Sequence, residues 1–177
     1  MNETIQIRPY QESDKASLLS IFEANIREEW GERYHQGKYI SNAEQYIETV
    51  VSDPQSDLPN IPQVYLEPGG DFWILEEIDT QKVVGMVGLQ ILSLGKGEIR
   101  RNCILPEWRG NGWGTRLCHK IQERARQLKL KRLICSTPEH GDDVIRFYRR
   151  LGFTEYSTRK EMHGTPIKEV FLEWHVK

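Results

Sequence analysis

Between Leu105 and Leu117 the chain reads LPEWRGNGWGTRL, with Gly110, Gly112 and Gly114 alternating with Asn111 and Trp113. An apolar run precedes this stretch and a helical pattern follows it, so the segment leaves a strand and enters a helix. Such a loop presents backbone N–H groups without intrahelical partners, together with the positive end of a helix dipole. Glycines remove side chains that would hold a phosphate away from those N–H groups and permit positive backbone angles, while Arg109 adds charge and a fork of donors. Arg109 to Thr115 therefore suits a pyrophosphate; the simpler reading is that the glycines only make a tight turn. Two commoner glycine loops do not fit. A Walker A loop needs Gly-Lys-Ser/Thr, where Gly114 is followed by Thr115 and Arg116, and the dinucleotide fingerprint needs G-x-G-x-x-G, where the chain has G-x-G-x-G.

Other reactive residue types are sparse. Cys103 is a nucleophile by type, but no base adjoins it in sequence, and burial as a small apolar residue is the better reading. The three cysteines, Cys103, Cys118 and Cys135, are an odd set without metal-ligand spacing and are expected to be reduced. The five histidines show no metal-ligand pairing, so no metal is expected; His35 is read as solvent-exposed.

The elements that must position these residues follow from composition and periodicity. At 177 residues, 38% hydrophobic, 28% charged and a net charge of -2, the chain reads as one soluble globular domain, residues 1–177. No basic footprint for nucleic acid is present. The longest apolar stretch, Val83 to Gly95, is too short and too interrupted for a membrane span. The N-terminus has no signal or transit pattern, so an intracellular, cytoplasmic location is expected.

TIQIRPY alternates as a first strand ending at Pro9. Leu18, Leu19, Phe22 and Ile26 recur at the helical period, with Ser13 and Asp14 as cap candidates. Ser41 and Glu44 form a capping-box pattern ahead of a second helix through Tyr46, Ile47, Val50 and Val51. Ser52 to Gly70, with four prolines and two glycines, reads as a surface loop. DFWILEEID, KVVGMVGLQIL and GEIRRNCILP then form an antiparallel meander. After the glycine loop a helix is expected over Leu117, Ile121, Ala125 and Leu128. KRLICST follows as a buried strand, and DDVIRFYRRLG as a helix capped by Asp142 or Asp143 and ended by Gly152. The last strand, IKEVFLEWHV, places Val170, Leu172, Trp174 and Val176 on one face and is a plausible pairing edge. The mixture is an α/β (α+β) domain.

Arg109, Gly112 and Gly114 fit the pattern R/Q-x-x-G-x-G/A, and RFYRRLGF, Arg146 to Phe153, follows at a matching distance. With the strands and helix between them, these motifs resemble the GNAT superfamily of acyl-CoA-dependent N-acyltransferases, specifically from about Val83 to Phe153. FWILEE and KVVGMVGLQ resemble its camello-like branch more loosely, without that branch's membrane segment. One departure is Gly141, where many relatives carry Asn seven residues before the tyrosine.

The resemblance implies a mixed, mostly antiparallel central sheet flanked by helices, with fourth and fifth strands splayed into a cleft for acetyl-CoA. It implies that backbone groups of Cys103, Ile104 and Leu105 pair with the pantetheine and acetyl carbonyl, and that Arg109, Gly110, Asn111, Gly112, Trp113, Gly114 and Thr115 hold the pyrophosphate. A backbone N–H near Ile104 or Leu105 would be the oxyanion donor. Tyr148 matches the tyrosine that protonates the departing thiolate in many members. Glu98 lies six residues before Ile104, which puts both on one face of an unbulged strand. It is the candidate base, against a solvated strand-end carboxylate. Glu28, Glu29 and Glu32 with Trp30, Tyr34 and Tyr39 are candidates for holding a cationic amine. Acetyl transfer to a primary amine is the expected function. A small molecule, a peptide N-terminus or a lysine are the open acceptors, and a monomer or homodimer the open assembly. A CoA-binding module without catalysis and transfer of a longer acyl group are the alternatives.

Overall fold

Ile5 and Ile7 alternate along β1 (Ile5–Pro9) in the computed structural model, which describes residues 4–33, 38–93, 95–159 and 168–177. A 3-10 turn leads into α1 (Lys15–Ile26), whose Leu18, Ile21, Phe22 and Ile26 are buried. The chain leaves α1 through a wide π turn (Arg27–Arg33) and resumes as α2 (Ile40–Ser52), burying Ala43, Ile47 and Val50. Ser41 and Glu44 do not form the expected capping box: α2 starts at Ile40 with no side-chain cap, and Glu44 is ion-paired with Arg27 at 2.7 Å.

The proline-rich segment after α2 is not a surface loop. Leu58, Ile61 and Tyr65 are fully buried within it, and Asp57 accepts the Tyr65 hydroxyl at 2.6 Å. A π-helical turn over Pro62–Leu66 opens at Pro62, and burial of three large side chains draws the segment inward. The meander follows as β2 (Asp71–Glu77), β3 (Val83–Ser93) and β4 (Lys96–Ile104). A 3-10 turn at Pro106–Trp108 and the glycine loop lead to α3 (Trp113–Gln127), then β5 (Arg132–Pro138), α4 (Asp142–Arg150), β6 (Thr154–Arg159) and β7 (Glu169–His175). Gly141, rather than Asp142 or Asp143, is the residue before the first turn of α4; both acids lie in that turn, where the helix dipole favours them.

One seven-stranded sheet runs in the order β1-β2-β3-β4-β5-β7-β6. β6 has no counterpart among the expected strands, because its TEYSTR sequence is polar. It is an edge strand, and it moves β7 to an interior position instead of the edge. α1, α2 and the buried segment pack on one face with Phe72, Ile74, Met86 and Cys103. α3 and α4 pack on the other with Trp73, Val87, Ile99, Leu133, Val170, Leu172 and Trp174. Among the described residues no helix is long and apolar enough to cross a membrane.

The sheet is antiparallel except between β4 and β5. There Lys96, Gly97 and Glu98 pair in parallel with Arg132, Leu133 and Ile134, and the paired register goes no further. β4 continues to Ile104 and β5 to Pro138, so the two strands splay apart and open the sheet in its middle.

Candidate active site

The open half of β4 begins at a β-bulge. Met86 pairs with Cys103 and Gly88 with Arg100, so Val87 faces two residues, Arg101 and Asn102. Arg101 takes a left-handed backbone, φ 55°, and its guanidinium makes a two-pronged ion pair with Asp57 at 2.6 and 2.8 Å. Beside that guanidinium, and with Tyr65 donating to it, the Asp57 carboxyl is held down to about 2 although burial opposes ionisation. The bulge reverses the parity of the strand. Ile99 packs with α3 and α4, whereas Cys103, four residues on, packs with α1 and α2. Glu98 and Ile104 consequently lie on opposite faces, not on the shared face expected of an unbulged strand. Glu98 is half-buried, and burial raises its carboxyl above the ordinary value against the pull of Arg100.

The register also sorts the backbone groups. Leu105 N–H donates to Val84 at 2.9 Å, which fixes the alternation and makes 86–103 a hydrogen-bonded pair. Cys103 thus spends its backbone groups on β3, and Leu105 gives its N–H to Val84 while its carbonyl accepts from Trp108 N–H at 2.9 Å. Ile104, between them, turns its N–H and C=O toward the edge that β5 has left, so of these three residues it alone can meet a ligand there through its amide.

Beyond that edge lies a cleft of about 290 Å³, lined by Ile104, Arg109, Gly114, Phe147 and Tyr148, with Asn25, Glu29, Asn102 and Asp143 among its polar walls. At its mouth Gly110 and Gly112 have φ of 79° and 80°, and a Cβ on either would meet nothing within 4 Å. Those left-handed angles need glycine, and the space above the loop is open. Gly112 caps α3, whose first intrahelical bond is Arg116 N–H to Gly112. The N–H groups of Trp113, Gly114 and Thr115 precede that bond at the positive end of a 15-residue helix. This geometry fits a pyrophosphate. The Arg109 donors are engaged within the protein: Nε donates to the Ile104 carbonyl at 2.8 Å, Nη1 to Glu28 at 2.8 Å and Nη2 to Asn25 at 3.0 Å. Its guanidinium ties the loop to α1, to the π turn after it and to the end of β4.

Tyr148 on α4 is 5% exposed, edge-on to Phe147 and Phe153, and its hydroxyl accepts from Asn102 at 3.3 Å. Burial raises its phenol well above 10, with Cys135 and Cys118 adding to the effect. The phenol therefore stays protonated at neutral pH. Cys103 is buried, and its thiol is pushed up to about 12 by that burial, which suits a core residue and not a nucleophile.

A splayed β4–β5 pair, a glycine loop opening a helix at the mouth of the splay and a buried tyrosine inside it now stand together. The model of the acetyltransferase (GNAT) family matches residues 24–153. The chain belongs to the GNAT family. Over 105 residues it is 36% identical to the amino-acid acetyltransferase of Mycobacterium tuberculosis, an alignment that covers 58% of this chain and 54% of that protein. The chain thus spans about half the length of that curated relative. A GNAT-family acetyltransferase from Staphylococcus aureus superposes with a TM-score of 0.74 at 22% identity, covering 98% of this chain and 99% of the other. A GNAT phosphinothricin acetyltransferase from Sinorhizobium meliloti, solved with acetyl-CoA, superposes with a TM-score of 0.68 at 16% identity over 98% of this chain and 89% of the other.

Within this GNAT fold the acceptor-side residues are dispersed. Trp30 is 2% exposed and stacks on Tyr46 at 5.4 Å, so it belongs to the core and does not face a substrate. Glu28 is engaged by Arg109, Glu29 lines the cleft, and Tyr34 lies outside the described residues. Gly141 has a structural reason to depart from the usual Asn: a Cβ there would stand 3.0 Å from Thr137 Oγ1 and 3.1 Å from the Pro138 carbonyl. Asn25 and Asn102 are cleft residues that sequence patterning passed over. Asn25 sits near the end of α1 beside buried Ile26, and Asn102 is turned inward by the bulge.

Proposed function

We propose that this GNAT protein is an acetyl-CoA-dependent N-acetyltransferase that moves an acetyl group to a primary amine by direct attack in a ternary complex. The observation that carries this reading is the coincidence, in one cleft, of the α3 N-terminus, the outward amide of Ile104 and the protonated phenol of Tyr148. The N–H groups of Gly112 to Thr115 receive the pyrophosphate. The Ile104 N–H meets the thioester oxygen as negative charge gathers on it.

A lysine-like amine is neutral only in about one molecule in 2,500 at pH 7, a penalty of roughly 4.6 kcal/mol, so a base or a desolvating wall must act. Glu98 is the last residue of β4 paired to β5 and lies on the α1–α2 face, outside the lining of the cleft, whereas Tyr148 lines it from the α3–α4 face. In this reading the two would act as base and acid from opposite faces of the sheet, with water linking Glu98 to the amine. The amine lone pair forms the C–N bond, the C–S bond breaks, Tyr148 gives its proton to the sulfur, and the ammonium proton leaves through water to Glu98. Glu29, on the cleft wall, favours a cationic acceptor. Amino acids come first among candidates because the Mycobacterium tuberculosis relative is named an amino-acid acetyltransferase.

The test is CoA release by the purified protein with acetyl-CoA and a panel of amino acids, small amines, peptide N-termini and lysine peptides. Saturable release matched by N-acetyl product is expected for at least one class. Bound acetyl-CoA with no release across the panel would contradict catalysis.

A further inference from the structure

The outer half of β4 carries one amide, Asn102, onto the apolar α3–α4 face, where an aliphatic side chain would pack as well. Counted from Glu98 along an unbulged strand, Asn102 would share the face of Glu98, toward α1 and α2; the bulge, at which Arg101 is ion-paired to Asp57, puts it on the other. Asn102 Nδ2 lies 3.3 Å from the Tyr148 oxygen and 3.4 Å from Cys118 Sγ, and both Asn102 and Tyr148 line the cleft. The titratable groups that bear on the phenol are Cys103, Cys118 and Cys135, from β4, α3 and β5, and burial keeps all three as neutral thiols. An O–H whose oxygen accepts from Asn102 must aim its own proton elsewhere.

We propose that Asn102 is a positioning residue for Tyr148: its amide fixes the phenol oxygen as an acceptor, turns the phenol proton into the cleft, and stabilises the phenolate that proton transfer leaves behind. The inference rests on Tyr148 being the acid of the proposed transfer. In that step the Tyr148 O–H bond breaks and the S–H bond of CoA forms. The phenolate, held by the Asn102 N–H, is reprotonated from solvent through the cleft as product leaves. Asn102 touches neither the acetyl group nor the sulfur in this account; it acts through the tyrosine.

Two measurements test it. In ligand-free protein labelled with 3-fluorotyrosine, whose fluorine acidifies the phenol, the Tyr148 resonance is assigned by its loss in Tyr148→Phe and titrated by fluorine NMR. Removing the donor with Asn102→Leu raises the midpoint. Mere loosening of the packing would admit water and lower it, so a lowered or unchanged midpoint overturns the inference. In the second measurement hydroxylamine, a small amine that is neutral near pH 7.5, serves as acceptor. Asn102→Leu is expected to lower kcat roughly tenfold with KM for acetyl-CoA unchanged, and to change kcat by about twofold at most in the Tyr148→Phe background. Additive losses overturn the inference and leave the acid in place. A Tyr148→Phe variant as fast as wild type overturns the acid, and Asn102 with it. Asn102→Asp, of equal size but accepting where Asn donates, gives the same expectations if the Leu variant does not fold.

Discussion

The two halves of β4 are built to different ends. From Lys96 to Glu98 the strand is paired on both edges, to β3 and β5; from Asn102 onward β3 alone holds it, and the freed edge carries the Ile104 amide. Between them stands a bulge whose left-handed Arg101 is held by a buried carboxylate 44 residues away in sequence. The inner half supplies stability and the outer half supplies unpaired backbone. A tertiary ion pair, not a local strand preference, marks the border.

Breaking that border gives the largest expected effect. Arg101→Leu removes the two-pronged partner and leaves buried Asp57 with the Tyr65 hydroxyl and the Arg100 guanidinium at 3.8 Å, which is expected to destabilise the fold by about 3 kcal/mol in urea titration. The same pair predicts a pH signature. With the folded Asp57 carboxyl at about 2 and its ordinary value at 3.8, its contribution is present above pH 4 and lost as pH falls toward 2. That loss amounts to about 2 kcal/mol, and it should vanish in Asp57→Asn.

Next comes the chemistry of the freed edge. Tyr148→Phe is expected to lower kcat by about a hundredfold or more while leaving acetyl-CoA affinity within about twofold. A smaller change is expected at Trp30→Phe: about 1–2 kcal/mol of stability from the lost stacking on Tyr46, seen in thermal melts, with KM for the amine unchanged. A rise in KM would return Trp30 to the acceptor site.

The smallest effect separates function from stability at Glu98. Its folded carboxyl titrates above the ordinary value, so the stability it contributes is present at acid pH and is lost as pH rises through that folded value. Glu98→Gln should therefore raise the melting temperature slightly at neutral pH. It should also abolish a rise in kcat/KM with pH that wild type shows as the base ionises. A pH profile identical to wild type would remove Glu98 as the base.

What the sequence made legible was local. The glycine loop, α3 and the FYRRLGF helix are strand-to-helix units in which neighbouring residues decide the geometry, and they fold where periodicity puts them. Elements decided across distance were misread. The parity of Glu98 and Ile104 depends on the Asp57 pair, the burial of Leu58, Ile61 and Tyr65 on α1 and α2, and the polar β6 on β7 beside it. Arg109 shows the same limit inside the site: its type suits an anion, but Glu28 and Asn25, over 80 residues earlier, claim its donors.

The central claim, that the loop before α3 is the acetyl-CoA cradle, is tested most directly by calorimetric titration of acetyl-CoA into wild type, Gly112→Glu and Gly112→Asn. Asn tolerates the left-handed angle of Gly112 while placing a side chain in the open space, and Glu adds a repelling charge. The account predicts saturable binding by wild type, weaker binding by Asn and none measurable by Glu, with all three folded. Equal binding by the three, or none by folded wild type, would contradict it.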